Sequence, residues 1–233
     1  MTTIQANLQA VKTRIAAACA AAGRDPCGVR LLAVSKTWPA ARIGEVAGCG
    51  QRAFGENYVQ EALAKIESLR PLDLEWHFIG PLQSNKTRPV AENFAWAHSI
   101  ERLKIAERLS AQRPADLPPL QVCLQVNVSG EESKSGCAPA AVPALAAAVA
   151  QLPNLRLRGL MAIPEPTTDE SLLRRRFALL RQLRDALNAQ GMDLDTLSMG
   201  MSDDLEAAIA EGATIVRIGT AIFGARPAGK GVL

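Results

Sequence analysis

Residues 31–36 read Leu-Leu-Ala-Val-Ser-Lys: four apolar residues, then a hydroxyl, then an amine. A run this short and this apolar predicts a strand covered on both faces, as strands in parallel sheets are. Outward from it the same unit recurs. Further strand candidates lie at 52–57, 74–80, 94–100, 121–128, 155–163, 196–201 and 215–220. Helical signals fill the intervals. The 40–50 stretch ends in Gly50, and 58–69 places Val59, Leu63 and Ile66 on one face before Pro71. Leu103, Ile105, Ala106 and Leu109 mark 101–112, and an alanine-rich 138–152 stops at Pro153. The longest, 172–190, carries Leu173, Phe177, Leu180, Leu183 and Leu187 as a stripe and stops at Gly191. Asp203 and Asp204 open 203–212 as acids suited to a helix N-terminus. The 85–93 segment contains Pro89, which a helix tolerates only near its first turn.

The leading 23 residues have Lys12 and Arg14 at helical spacing among apolar residues, which predicts an amphipathic helix and not a signal peptide. Eight strand–helix units in 233 residues approach the ~250 typical of one eightfold barrel. The expectation is an α/β fold: a single TIM-type (β/α)8 barrel over residues 1–233, with an extra N-terminal helix and no C-terminal β domain.

Composition narrows the function. Apolar residues make up 48% of the chain, enough for a large core without disulfides or metal. A net charge of +3, with no basic run interleaved with aromatics, gives no reason to expect nucleic acid or anionic membrane as a partner. No apolar stretch reaches the ~18 residues that span a bilayer. The five cysteines form no CxxC pair, which predicts reduced thiols in a cytoplasmic protein. Nothing in the pattern demands an oligomer, so a monomer is expected.

In such barrels reactive groups stand where strands end and βα loops begin. Lys36 stands at the end of the first strand. Partial desolvation there lowers an amine's pKa, and such a lysine can attack a carbonyl and hold it as an imine. It can equally be a snorkelling lysine, or one paired with Glu56. Ser202, Gly219 and Thr220 lie at the ends of strands seven and eight, where phosphate sites in these barrels frequently form. Ser202 can instead cap the helix that begins at Asp203. Arg217 shares a facing with Gly219 by period two, and a buried arginine needs an anion or a hydrogen-bond acceptor; on sequence alone a structural ion pair is favoured. The only histidines, His77 and His98, lack metal-ligand spacing. His77 either lines the pocket or is satisfied within the core.

The motifs LLAVSKTWP (31–39), FGENYVQEA (54–62), WHFIGPLQSNK (76–86), VNVSGEESKSG (126–136), LSMGMSDDLEAAI (197–209) and VRIGTAIFGAR (216–226) follow one another in order. Together they resemble the pyridoxal-phosphate homeostasis protein family, which is similar to the N-terminal barrel of alanine racemases and ornithine decarboxylases. The resemblance implies that Lys36 carries pyridoxal 5′-phosphate as an internal aldimine. It implies that Ser202 and the backbone of Gly219 and Thr220 hold the phosphate, and that Arg217 faces the pyridine nitrogen. Asn57 and His77 would line the ring pocket. An arginine cannot accept a proton, so it disfavours the pyridinium and weakens the ring as an electron sink.

The related racemases add a C-terminal β domain with a tyrosine base. Here the sequence stops at Leu233, and the one tyrosine, Tyr58, follows the second strand. The expected role is therefore vitamin B6 homeostasis without catalysis: binding the cofactor and handing it to apo-enzymes. The alternatives are a pyridoxal-phosphate-dependent racemase or decarboxylase, and a lysine-dependent aldolase.

Overall fold

Period-two alternation sorts the strand residues onto two surfaces, and the fold buries both. The computed structural model describes residues 3–131 and 135–225. Its strands are β1 (Arg30–Val34), β2 (Ala53–Glu56), β3 (Glu75–Phe78), β4 (Trp96–Ile100), β5 (Leu120–Gln125), β6 (Leu155–Met161), β7 (Thr196–Ser198) and β8 (Ile215–Ile218). All neighbours are parallel and the order is sequential. β8 closes on β1 in the register Arg30↔Ile215 through Ala33↔Ile218. The expected eightfold barrel is therefore present, each strand falling within or within a residue of its predicted segment. Most strands end earlier than the apolar runs do, because the chain leaves the sheet there to form the loops of one mouth.

The helices are α1 (Thr3–Ala21), α2 (Ala40–Gly48), α3 (Val59–Ser68), α4 (Thr87–Asn93), α5 (Leu103–Gln112), α6 (Val142–Ala150), α7 (Glu170–Ala189), α8 (Leu205–Ala210) and α9 (Thr220–Phe223). Pro89 sits at the third residue of α4, in the first turn, where no intrahelical donor is lost. α8 begins at Leu205 and not at Asp203, and α9 was not anticipated. Outward-facing strand residues such as Ala33, Phe54 and Val122 join the helices in one core. α1 buries Ile4, Leu8, Val11 and Ile15 on one stripe. The five cysteines are unpaired, and among the described residues no helix is long and apolar enough to cross a membrane.

The barrel interior is unlike that core. Leu32, Ala53, Ile79 and Ile215 form one small apolar cluster, and Trp96, Cys123 and Met161 another. Between them lie buried His77, His98, Ser198 and Arg217. Polar residues were expected mainly at strand ends; the interior also holds them at mid-strand.

A second buried polar group fixes the exit of β1. Lys65, on α3, is 5% exposed and donates to Glu56 Oε1 at 2.7 Å, to the Ser35 carbonyl at 2.8 Å and to Glu61 Oε1 at 2.5 Å. Ser35 Oγ donates to the same Glu56 oxygen at 2.6 Å, and Thr37 N–H to Glu61 Oε1 at 2.6 Å. The clamp grips both neighbours of Lys36, and Thr37 is held at a φ of 68°, a conformation unfavourable for a β-branched residue. Burial pushes the Glu56 carboxyl up, and Lys65 with the Ser35 hydroxyl opposes that rise.

Removing one partner of such a pair strands the other charge. Lys65→Ala is expected to cost about 3–5 kcal/mol in urea unfolding. Arg70→Ala, which breaks the exposed pair with Glu67, should leave the midpoint unchanged. Equal effects of the two substitutions would contradict the clamp.

Candidate functional site

The strand ends of the barrel meet in a cavity of about 200 Å³. β1 contributes Val34 and, just beyond it, Lys36. Asn57 follows β2, Ile163 follows β6, and Met201, Ser202 and Asp203 follow β7. β8 supplies Arg217 from within the strand, then Gly219 and Thr220. Six of the seven residues singled out from the sequence thus share one cavity. It is smaller than typical pockets for drug-sized ligands, ~300–1,000 Å³, and suits a small molecule left partly in solvent.

Each side chain is positioned by its own stretch of chain. Lys36 stands between the two clamped residues Ser35 and Thr37. Glu56, offered by the sequence as one partner for this lysine, receives Lys65 and the Ser35 hydroxyl on its Oε1. Asn57 packs its backbone against Gly80, where any Cβ would lie 2.2 Å from the Asn57 carbonyl. That contact admits only glycine. Asn57 Oδ1 is buried with no hydrogen-bond partner, an acceptor facing the need for a donor from a ligand.

On the opposite side Ser202 does not cap a helix as one reading had it, since α8 starts at Leu205 after Asp204. Its carbonyl accepts from Arg14 of α1 at 3.1 Å, while Asp204 Oδ1 accepts from Met201 N–H at 2.5 Å. Gly219 and Thr220 head α9, whose leading N–H groups have no acceptor within the helix. Asn7 of α1 donates to Ile222 O at 3.1 Å and steadies α9. The extra helix α1 therefore braces both loops, a role the sequence did not reveal.

Arg217 is 4% exposed and donates to Ser198 O at 2.6 Å, to Ser198 Oγ at 2.9 Å and to Ala162 O at 2.9 Å. The ion pair favoured by the sequence is replaced by carbonyl and hydroxyl acceptors. Burial pushes its guanidinium down to about 10 while the Asp204 carboxylate opposes the fall, so it stays cationic at neutral pH.

His77 is the exception. It lies fully buried below the cavity and bonds to Glu75 and His98, which corrects the expectation that it lines the pocket. Among the described residues no cluster of His, Cys, Asp or Glu is arranged to hold a metal ion. Glu132 to Lys134 and Arg226, inside two of the motifs, lie outside the described residues. A larger cleft, about 620 Å³, opens at the opposite mouth beside Arg30, Glu75, Trp96 and Arg158. Of the four arginines that line it, Arg30 and Arg158 are paired with Glu75 and Asp195 and Arg113 donates to backbone carbonyls, and it contains no lysine.

Residues 6–227 match the family model described as alanine racemase, N-terminal domain. A protein of Pseudomonas aeruginosa named pyridoxal phosphate homeostasis protein is 67% identical over 229 residues, covering 98% of each chain. The protein of that name in Escherichia coli K12 is 58% identical, covering 99% of this chain and all of its own. Among solved structures, PipY of Synechococcus elongatus PCC7942 with PLP bound superposes with a TM-score of 0.84 at 38% identity. It covers 95% of this chain and 100% of its own. On matches of this extent, the chain belongs to the pyridoxal phosphate homeostasis protein family, within the wider alanine racemase N-terminal domain family.

Proposed function

We propose that this protein binds pyridoxal 5′-phosphate reversibly at Lys36 and takes part in intracellular vitamin B6 homeostasis. The observation that carries the reading is the convergence of Lys36, Ser202, Gly219, Thr220 and Arg217 on one small cavity. Its residues suit the cofactor: an amine for the aldehyde, a hydroxyl and leading helix N–H groups for a phosphate, and an orphaned acceptor on Asn57. PipY, 38% identical, has been solved with PLP bound, which supports the same ligand here.

The bound cofactor supplies an aldehyde that the Lys36 amine takes as an imine with loss of water, and hydrolysis returns both. The chain's own residues hold and orient. Ser202 and the head of α9 receive the phosphate, and Arg217 presents a donor that cannot accept a proton toward the ring. Asn57 offers its acceptor from the β2 side.

The reading is of a holder and not an amino-acid enzyme. Among the described residues, Asp203 is the one ionisable residue lining the cavity besides Lys36 and Arg217, so that wall offers no histidine, tyrosine or cysteine as a second base. Apo-enzymes that need the cofactor are the partners this role implies. The unpaired cysteines fit a reducing, cytoplasmic setting.

Incubation with the cofactor should give a yellow protein whose visible band is absent in Lys36→Ala. Borohydride should fix a pyridoxyl group on Lys36, read by mass spectrometry. Colourless wild type after incubation would refute the proposal. Ser202→Ala should hold the cofactor roughly tenfold less tightly, the worth of one hydrogen bond to a charged group, with the band otherwise unchanged. Mixed with an apo-enzyme, the loaded protein should lose colour as the enzyme gains activity. Turnover of any amino acid in a broad screen, abolished by Lys36→Ala, would favour the racemase or decarboxylase reading.

A further inference from the structure

A line of buried polar side chains runs from the cavity floor to the opposite mouth of the barrel. Arg217 donates to Ser198 Oγ at 2.9 Å. Ser198 Oγ lies 2.8 Å from His98 Nδ1, and His98 Nε2 lies 2.9 Å from His77 Nδ1. His77 Nε2 lies 2.5 Å from Glu75 Oε1, the same oxygen that Arg30 reaches at 2.7 Å. The five links cross four strands, β8, β7, β4 and β3, and end on an ion pair with Arg30 of β1. Both histidines and Ser198 are fully buried.

The ends dictate the direction. An arginine only donates, and an ionised carboxylate only accepts. With both imidazoles neutral, one arrangement satisfies every contact. Ser198 O–H donates to His98 Nδ1, His98 Nε2–H to His77 Nδ1, and His77 Nε2–H to Glu75. The reverse sense would set a bare imidazole nitrogen against the Glu75 carboxylate. Burial, reinforced by the Arg217 charge, holds His98 well below the usual imidazole value, and burial also lowers His77. Burial alone would raise Glu75, but the His77 hydrogen bond and the Arg30 charge bring it below the ordinary carboxylate value. The two lowered histidines agree with neutral rings, and the lowered Glu75 agrees with an ionised end.

We infer that Ser198, His98 and His77 are positioning residues for Arg217, a one-way hydrogen-bonded line that fixes the guanidinium under the cavity and anchors it to the Glu75–Arg30 pair. The role rests on the reading that the cavity takes pyridoxal phosphate, since the aim of Arg217 then governs the ring. A line that only donates away from the cavity offers no proton toward the floor except those Arg217 keeps. His77 and His98 thereby act on the site without touching its ligand.

Two measurements on the full chain separate this inference from the cofactor reading. Nitrogen-15 NMR of the two imidazoles, assigned with His98→Gln, should find both rings neutral with the proton on Nε2 throughout the neutral range. A proton on Nδ1 of either ring, or a cationic ring, overturns the line whether or not the cofactor binds. In the second, Ser198→Ala and His98→Gln are loaded with pyridoxal phosphate. Each should weaken retention roughly tenfold and move the pH midpoint of the visible band, while borohydride still labels Lys36. The double variant should be no worse than the weaker single, because both cut one line. Wild type that takes up no cofactor overturns the cofactor reading and this role with it. Uptake by wild type, with retention and midpoint unchanged in Ser198→Ala, overturns the inference alone; that small substitution removes only the hydroxyl and keeps the test free of misfolding.

Discussion

A guanidinium sunk into the middle of a barrel has to be met by acceptors on every side that water would otherwise occupy. An unmet buried ion costs several kcal/mol even after relaxation, so the ends of β6, β7 and β8 must hold their relative places for Arg217 to be tolerated at all. Ser198 meets it with two oxygens and Ala162 with one. These acceptors belong to the segments that frame the cavity. The cost of burying the charge is thus converted into rigidity at the floor of the site.

The other wall is organised by a different buried charge. Lys65 reaches up from α3 and gathers Glu56, Glu61 and the Ser35 carbonyl, which immobilises the chain on both sides of Lys36. α1 completes the frame from outside the barrel. Arg14 takes the Ser202 carbonyl together with Glu206, and Arg24, just past the helix, takes the carbonyls of Ile209 and Ala213 at the far end of α8. A helix that precedes the barrel in sequence therefore supports the loops that follow its last two strands. Arg217, Lys65 and Arg14, each reaching chain distant in sequence, set the shape of one cavity.

The fold was legible because parallel strands buried on both faces leave continuous apolar runs, and LLAV or VRIG can be little else between helical stripes. The placement of Lys36, Ser202, Arg217, Gly219 and Thr220 was legible for a related reason: strand ends in a barrel share one mouth. What was illegible depends on contacts distant in sequence. Nothing local to Ser198 announces His98, one hundred residues away, and Lys65 reads as an ordinary surface residue until α3 is docked on β1 and β2. His77 was misplaced because WHFIG shares its segment with Ile79, which does line the cavity; the two residues between strand interior and strand end decide which one meets solvent. The ion pair expected for Arg217 failed likewise, since carbonyl acceptors leave no trace in residue identity. α8 began late because Asp204 spends its side chain on the Met201 N–H.

The rim of the cavity differs from its floor. Ile163 and Met201 line it yet remain 44% and 37% exposed, and Tyr58, next to Asn57, is 57% exposed. A guest seated above Arg217 would lie on a fixed base under an open sky. Among the described residues, entry and departure would then require no parting of packed elements, and the residence time of a guest held at Lys36, as proposed, would be set by its bonds and not by the opening of a packed lid.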